Sequence, residues 1–179
     1  MTVDGYVGTT NGELDWMSFS TDEKISNRVN ELTDSSNTIL LGRKMTDGFI
    51  DYWTSVLDNP ESPEYSFAKK MIDIPKIVFS RTVKESKWVN TTIAGGDLTE
   101  EIEKIKNGDG KDIVVYGGAD FVSSLIERNL IDEYHLFINP VAIGEGLRIF
   151  GNSEQRTNLR LLKSEVYSTG EVELIYAPR

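Results

Sequence analysis

Asp112-Ile-Val-Val-Tyr-Gly-Gly-Ala-Asp-Phe-Val-Ser-Ser-Leu-Ile-Glu127 decides the fold. Its first half is a short apolar run of the kind buried in a sheet. Its second half, with Leu130 just beyond, places Phe121, Val122, Leu125 and Ile126 on one helical face. A buried strand therefore gives way to a helix at Gly117-Gly118, and the same unit recurs along the chain. Thr38-Ile-Leu-Leu41 reads as a strand between helices over about Thr21 to Leu32 and Lys44 to Leu57. Lys76-Ile-Val-Phe79 is a second strand, reached through Asn59-Pro-Glu-Ser-Pro63 and a short helix from Tyr65 to Ile72. Trp88 to Ile93 gives a third. Asp97 precedes Thr99-Glu-Glu-Ile102 and predicts a capped helix from about Thr99 to Lys106, stopped by Asn107-Gly-Asp-Gly110. Glu133 to Ile138 is a further strand. Leu159 to Tyr167 and Glu171 to Tyr176, on either side of Ser-Thr-Gly, read as an antiparallel hairpin. Strands separated by helices imply crossovers and parallel pairing, so the expected fold is α/β, a mostly parallel sheet with an antiparallel C-terminal strand, built as one domain over residues 1–179.

The totals narrow the function. The absence of cysteine removes disulfides, thiolate nucleophiles and most zinc sites, and a single histidine, His135, leaves little for transition metals, so no metal is expected. A net charge of -10 argues against a nucleic-acid surface. No apolar run approaches the roughly 20 residues that span a bilayer, and nothing reads as a secretory signal, so the expected address is cytoplasmic. A small ligand remains. In so acidic a chain, cations that gather without acids are informative.

Such cations gather where strands stop. In open α/β sheets, ligands sit beyond the carboxyl ends of the strands, where the next helix presents unpaired N–H groups. Gly117-Gly118 suits an anion approaching the backbone, or equally a tight turn with no ligand. Leu40-Leu-Gly-Arg-Lys-Met-Thr46 sets Gly42, Arg43 and Lys44 directly after a strand, and Phe79-Ser-Arg-Thr82 sets Ser80, Arg81 and Thr82 after the next. Each cluster alone is also what a solvated loop looks like. Together the three strand ends suit a ligand carrying several phosphates. Neither G-x-G-x-x-G nor a P-loop is present. Gly95-Gly96 is followed by Asp97, Glu100 and Glu101 and reads as structural.

Leu41-Gly-Arg-Lys44, Val78-Phe-Ser-Arg-Thr82 and Tyr116-Gly-Gly-Ala119, in this order, resemble the dihydrofolate reductase-like fold. Thr2-Val-Asp-Gly-Tyr6, Asp15-Trp16, Leu130-Ile-Asp-Glu-Tyr134 and Pro140-Val-Ala-Ile-Gly-Glu-Gly146 resemble more closely its branch related to the C-terminal reductase domain of the bifunctional riboflavin-biosynthesis deaminase/reductase. The resemblance implies a three-layer sheet of that type and an NADPH site. Gly42, Arg43 and Lys44 would hold the 2′-phosphate side, Ser80, Arg81 and Thr82 would continue it, and Gly117, Gly118 and Ala119 would cradle the pyrophosphate. The nicotinamide would lie near Val3 to Val7 and Asp15-Trp16. A homodimer is also implied. The resemblance departs at two points. The first strand of this fold normally precedes the Asp-Gly segment by several residues, whereas this sequence opens at Met1-Thr-Val-Asp4. The helix position that carries a pterin-binding carboxylate in dihydrofolate reductases falls on Ser26, with Asp22 and Glu23 the nearest acids, which disfavours folate as the substrate.

Hydride chemistry asks the protein to orient an acceptor and supply a proton. Asp15 and Asp22 are the proton-donor candidates if burial raises a carboxyl toward neutrality; Asp22 equally suits a helix cap in Thr21-Asp-Glu-Lys24. Asp4 and Trp16 are the substrate-binding candidates, although Asp4 fits a turn with Gly5 and Trp16 a core plug. His135 alternates with apolar neighbours and reads as structural. Asp132 and Glu133 face opposite sides of a strand and make poor partners. Tyr52, Trp53, Tyr65 and Phe67 form a lid, a partner surface or core packing. The function expected is an NADPH-dependent reductase of a small heterocycle, or a nucleotide-binding protein of the same fold without turnover.

Overall fold

The computed structural model describes residues 1–17, 22–108, 110–151 and 156–179. Its elements are α1 (Glu23–Asp34), β1 (Ser36–Gly42), α2 (Arg43–Leu57), α3 (Tyr65–Asp73), β2 (Lys76–Phe79), β3 (Thr91–Ala94), α4 (Leu98–Lys106), β4 (Asp112–Gly117), α5 (Ala119–Glu127), β5 (Tyr134–Ile138), β6 (Leu159–Val166) and β7 (Val172–Pro178). The fold is mixed α/β as expected. Its strands are shared between two sheets, one parallel in the order β3-β2-β1-β4 and one antiparallel in the order β5-β7-β6. The chain divides into two compact units, Val29–Phe121 and a second made of Met1–Arg28 with Val122–Arg179, and the divisions fall within α1 and α5. Thr21, where the sequence reading starts the first helix, and Asp109 of the Asn107-to-Gly110 stop lie outside the described residues.

In the unit Val29–Phe121, β1 lies between β2 and β4 and is covered on both faces, which is why it reads as an unbroken apolar run: Ile39, Leu40 and Leu41 are all buried. Ile39 and Leu41 pack with Phe49 and Ile50 of α2, Met71 of α3 and Val78 of β2. Trp53 meets Phe49 and Phe67 edge-on at 6.3 and 5.2 Å, so Trp53 and Phe67 are core packing, while Tyr52 stays exposed. Lys76 is the unexpected member. It is 1% exposed, and its Nζ donates to the carbonyls of Met71, Ile72 and Ile74 at 2.8, 2.8 and 2.7 Å, closing the C-terminal turn of α3. Burial lowers its pKa to about 8, with the Asp73 charge opposing. Asp97 caps α4 as expected, accepting from the N–H groups of Thr99 and Glu100 at 2.9 and 3.3 Å.

In the other unit, β7 is the central strand and alternates between faces. Its Glu173 is 1% exposed and accepts from Arg28 Nε at 3.1 Å and from Tyr167 Oη at 3.1 Å, with His135 Nδ1 at 3.0 Å. Burial pushes this carboxyl up, and the bonds from His135, Arg28 and Tyr167 outweigh it, so the pKa lies below the ordinary value. The N-terminal segment lies along the loop after β5. Thr2 forms a parallel bridge with Asn139, and Gly8 forms an antiparallel one with Leu147.

Candidate functional site

The parallel register brings the expected strand ends into one row. Gly42 pairs with Phe79, Phe79 with Ala94, and Leu41 with Gly117, so β1, β2, β3 and β4 all end at the same edge of the sheet. Adjacent strands are about 4.8 Å apart, so the residues following β2 and β4 lie roughly 10 Å apart, on either side of those following β1. Arg43, Ser80 and Gly118 thus belong to one edge, as the sequence reading requires.

The junctions along this edge differ. Gly42 is the N-cap of α2, with extended backbone and no side-chain hydrogen bond, so the first N–H groups of the helix lack a capping side chain. A Cβ on Gly42 would lie 2.9 Å from Phe121 Cβ, 3.5 Å from Gly118 N and 3.6 Å from Gly117 O; the close approach of β1's end to the turn after β4 is what requires glycine here. Gly117 requires glycine for another reason, its φ of 120°. The Gly117–Gly118 peptide is cis. Ala119 opens α5, whose Phe121 stacks on Phe79 at 4.9 Å. At β3 the arrangement is closed, because Asp97 occupies the N-terminus of α4.

The cations are unequal. Arg43 and Arg81 are exposed and make no ion pair among the described residues, whereas Lys44 Nζ lies 2.9 Å from Asp120 Oδ2 in a pair 79% and 72% exposed. Ser80 is buried. Its Oγ accepts from the N–H groups of Thr82 and Val83 at 3.3 and 2.9 Å, which fixes the turn after β2, while Thr82 stays exposed. Lys84 was not anticipated. Its Nζ is 3.9 Å from where a Gly95 Cβ would stand, which brings a further cation over the ends of β2 and β3; the signal was a lysine four places after Ser80.

The carboxylates behave differently from the sequence reading. Asp4 accepts from the N–H groups of Ile143 and Gly144 at 3.1 and 2.8 Å, and bonds from Thr2 and Gly144 hold its pKa below the usual value; it ties down the loop after β5. Asp22 accepts from Ser168 Oγ at 2.6 Å, from Ser168 N at 3.0 Å and from Lys24 N at 2.8 Å. These bonds, the Ser168 hydroxyl first, also lower its pKa, the opposite of what a donor near neutrality needs. Asp15 is exposed and shares with Trp16 the turn closed by Met17 N on Leu14 O at 2.9 Å. Trp16 Nε1 is a buried donor without an acceptor among the described residues. His135 is engaged by Glu173 and by Glu133, whose Oε1 is 2.6 Å from Nε2. A cavity of about 570 Å³ between α5 and the antiparallel sheet, lined in part by Ile126, Leu136, Phe150 and Leu174, contains none of the expected site residues. Among the described residues no helix is long and apolar enough to cross a membrane, and no group of three or more His, Cys, Asp or Glu is placed to hold a metal ion.

Comparison with known proteins agrees with this fold. The chain is 36% identical over 179 residues to the uncharacterized protein YyaP of Bacillus subtilis, covering 98% of this chain and 90% of that one. Among solved structures it resembles the diaminohydroxyphosphoribosylaminopyrimidine deaminase/5-amino-6-(5-phosphoribosylamino)uracil reductase of Thermotoga maritima, with a TM-score of 0.68, 17% identity, and coverage of 99% of this chain and 54% of that one. It also resembles dihydrofolate reductase from Enterococcus faecalis complexed with NADP(H), with a TM-score of 0.61, 15% identity, and coverage of 100% and 92%. Since the family model described as the RibD C-terminal domain matches residues 1–172, the chain belongs to the RibD C-terminal domain family.

Proposed function

We propose that this protein is an NADPH-dependent reductase that delivers a hydride directly to a small heterocycle of pyrimidine or pterin type. The observation that carries the reading is the shared edge at which the uncapped start of α2, the Gly117-Gly118 turn and the exposed Arg43 and Arg81 follow three adjacent strands. What fits such a cofactor is the start of α2, which carries no capping side chain, with the exposed Arg43 and Lys44 in its first turn. Bound NADPH supplies the hydride. Arg43 offers a planar fork to the 2′-phosphate and Lys44 a point charge, with Ser80, Arg81 and Thr82 continuing that side. Gly117, Gly118 and Ala119 present backbone to the pyrophosphate. On the substrate side, Trp16, whose indole N–H has no acceptor among the described residues, is assigned to an acceptor atom of the substrate, and Asp15 to proton delivery.

The test is binding and turnover. Arg43→Glu is expected to weaken NADPH by about 30-fold or more and NADH by under about 3-fold, as loss of a charge-assisted phosphate contact predicts; equal losses would remove the 2′-phosphate assignment. A second reading is an NADP(H)-binding protein without turnover. It is favoured by the engagement of Asp4 and Asp22 in structural hydrogen bonds that hold both below the usual carboxyl range. NADPH oxidation against a panel of pyrimidine and pterin acceptors separates the two: tight NADPH binding with no oxidation on any acceptor supports the second.

A further inference from the structure

β7 is the central strand of its sheet, yet its two faces are filled unequally. On one face Glu173 and Ile175 are 1% and 6% exposed. On the other, Leu174 and Tyr176 are only half-buried, and so is Leu136, which pairs with Leu174 across β5. The element over that second face is α5. Its nine residues make it about 13 Å long, against about 23 Å for the seven residues of β7. The helix therefore covers only part of the strand, and what it leaves is the cavity of about 570 Å³.

The lining has two characters. Leu136, Ile149, Phe150, Leu159 and Leu174 supply an apolar wall, with Phe150 still 39% exposed. Arg156 and Thr157, from the segment before β6, and Tyr176 of β7 supply polar groups. None of these three side chains has a hydrogen bond or ion pair among the described residues. A guanidinium with its donors unspent and two free hydroxyls thus share one cavity with hydrocarbon. Ser123 adds little, because its hydroxyl already donates to Ile149 O at 2.9 Å. The one acid of the lining, Glu127, is exposed at the C-terminal end of α5, where the helix dipole is also negative. An anion therefore belongs on the Arg156 side.

We propose that this cavity binds a small monocarboxylate with an apolar chain or ring as its body. Arg156 offers a planar fork to the carboxylate, Thr157 and Tyr176 offer hydroxyl donors, and the leucines and Ile149 surround the hydrocarbon. A wholly apolar occupant would leave the guanidinium against hydrocarbon, and a compact polyanion would leave the apolar wall unused. The amphipathic anion uses both, and the volume lies in the range of about 300–1,000 Å³ usual for small-molecule sites. The site is independent of the reductase reading, since it contains none of the strand-end residues.

Calorimetric titration of the full chain at pH 7 with octanoate, octylamine and 1-octanol tests it. Octanoate is expected to bind with a dissociation constant on the order of 100 μM, and the amine and the alcohol at least about 10-fold more weakly, as loss of a charge-assisted contact predicts. Arg156→Glu should weaken octanoate about 10-fold or more and turn the preference toward octylamine. Arg43→Glu, the same reversal among the strand-end cations, should leave octanoate within about 2-fold of wild type. Leu174→Trp places a larger side chain in the cavity; octanoate should weaken about 10-fold while the urea unfolding transition stays at or above that of wild type, because the space is there to be filled. Absence of octanoate binding at about 2 mM overturns the proposal, as does equal or tighter binding of octylamine or 1-octanol. An Arg156→Glu protein that binds octanoate as wild type does, or an Arg43→Glu protein that loses it equally, overturns it too. A Leu174→Trp protein that is destabilised shows a filled interior and removes the cavity itself.

Discussion

Gly42→Ala perturbs the candidate site through one contact. Gly42 has φ of -77° and ψ of 138°, a conformation alanine adopts freely, so backbone strain contributes nothing. The new Cβ would stand 2.9 Å from Phe121 Cβ, roughly 0.6 Å inside the ~3.5 Å at which carbons meet comfortably. Phe121 Cβ belongs to the first turn of α5 and cannot rotate away, so relief requires that turn to move relative to the end of β1. Gly118 N and Gly117 O, 3.5 and 3.6 Å from the same point, move with it. Overpacking of this kind costs about 1–3 kcal/mol. At about 2 kcal/mol, the melting temperature of a chain this size falls by roughly 4–8 °C. If the displaced turn holds the pyrophosphate as proposed, NADPH and NADH are expected to weaken alike, by about 10-fold. Urea unfolding followed by tryptophan fluorescence, with calorimetric titration of both cofactors, measures this. The contact is with Cβ, so adding Phe121→Ala should give no relief. A Gly42→Ala protein as stable as wild type, or one rescued by Phe121→Ala, refutes the reasoning.

Lys76→Met keeps the length of the side chain and removes the donor to three carbonyls at the end of α3; a loss of about 3 kcal/mol in urea unfolding at pH 7 is expected. Glu173→Gln removes a buried charge facing Arg28 and His135, at a cost of about 3–5 kcal/mol at pH 7. Since the folded pKa of Glu173 is depressed, its contribution is fully present above the unfolded value of about 4.5 and is lost as pH falls through the folded value. The gap between wild type and Glu173→Gln should therefore narrow when unfolding is repeated at progressively lower pH below about 4. Asp120→Asn releases Lys44 from an exposed pair; stability should change by under about 0.5 kcal/mol, while NADPH binds about 3-fold tighter at low salt and no tighter at about 0.5 M salt.

What the sequence makes legible is what adjacent residues decide. The apolar runs that became β1, β2 and β4, the periodicity of α5 and the carboxylate cap of α4 are local, and each element lies within a few residues of its expected place. The row of strand ends was legible because a parallel register carries every strand to the same edge in the same sense. The allotment of strands to two sheets was not, because pairing partners such as β5 and β7 leave no mark in their own composition. The carboxylates show the same boundary. Asp4 is tied to Ile143 and Gly144, Asp22 to Ser168, and Lys44 to Asp120, each across at least 76 positions. A carboxylate captured by a distant backbone N–H is, in sequence, indistinguishable from one left for catalysis. Lys76 taught the converse: a lysine opening a strand reads as a solvated edge, and only the carbonyls of α3 make it core.

The two glycine pairs sharpen the argument for the site. Gly95-Gly96 and Gly117-Gly118 both follow parallel strands that end on one edge, and both precede helices. Their difference lies in the next residues. After the first pair, Asp97 puts its carboxylate on the N–H groups of Thr99 and Glu100, with Glu100 and Glu101 in the same turn, so negative charge already occupies the positive end of α4. After the second, Ala119 has no group to turn inward, and the acid that follows, Asp120, is drawn outward onto Lys44. A phosphate would meet a capping carboxylate at the first junction, and at the second an acid paired with Lys44. The neighbouring side chains, rather than the glycines themselves, distinguish the two junctions.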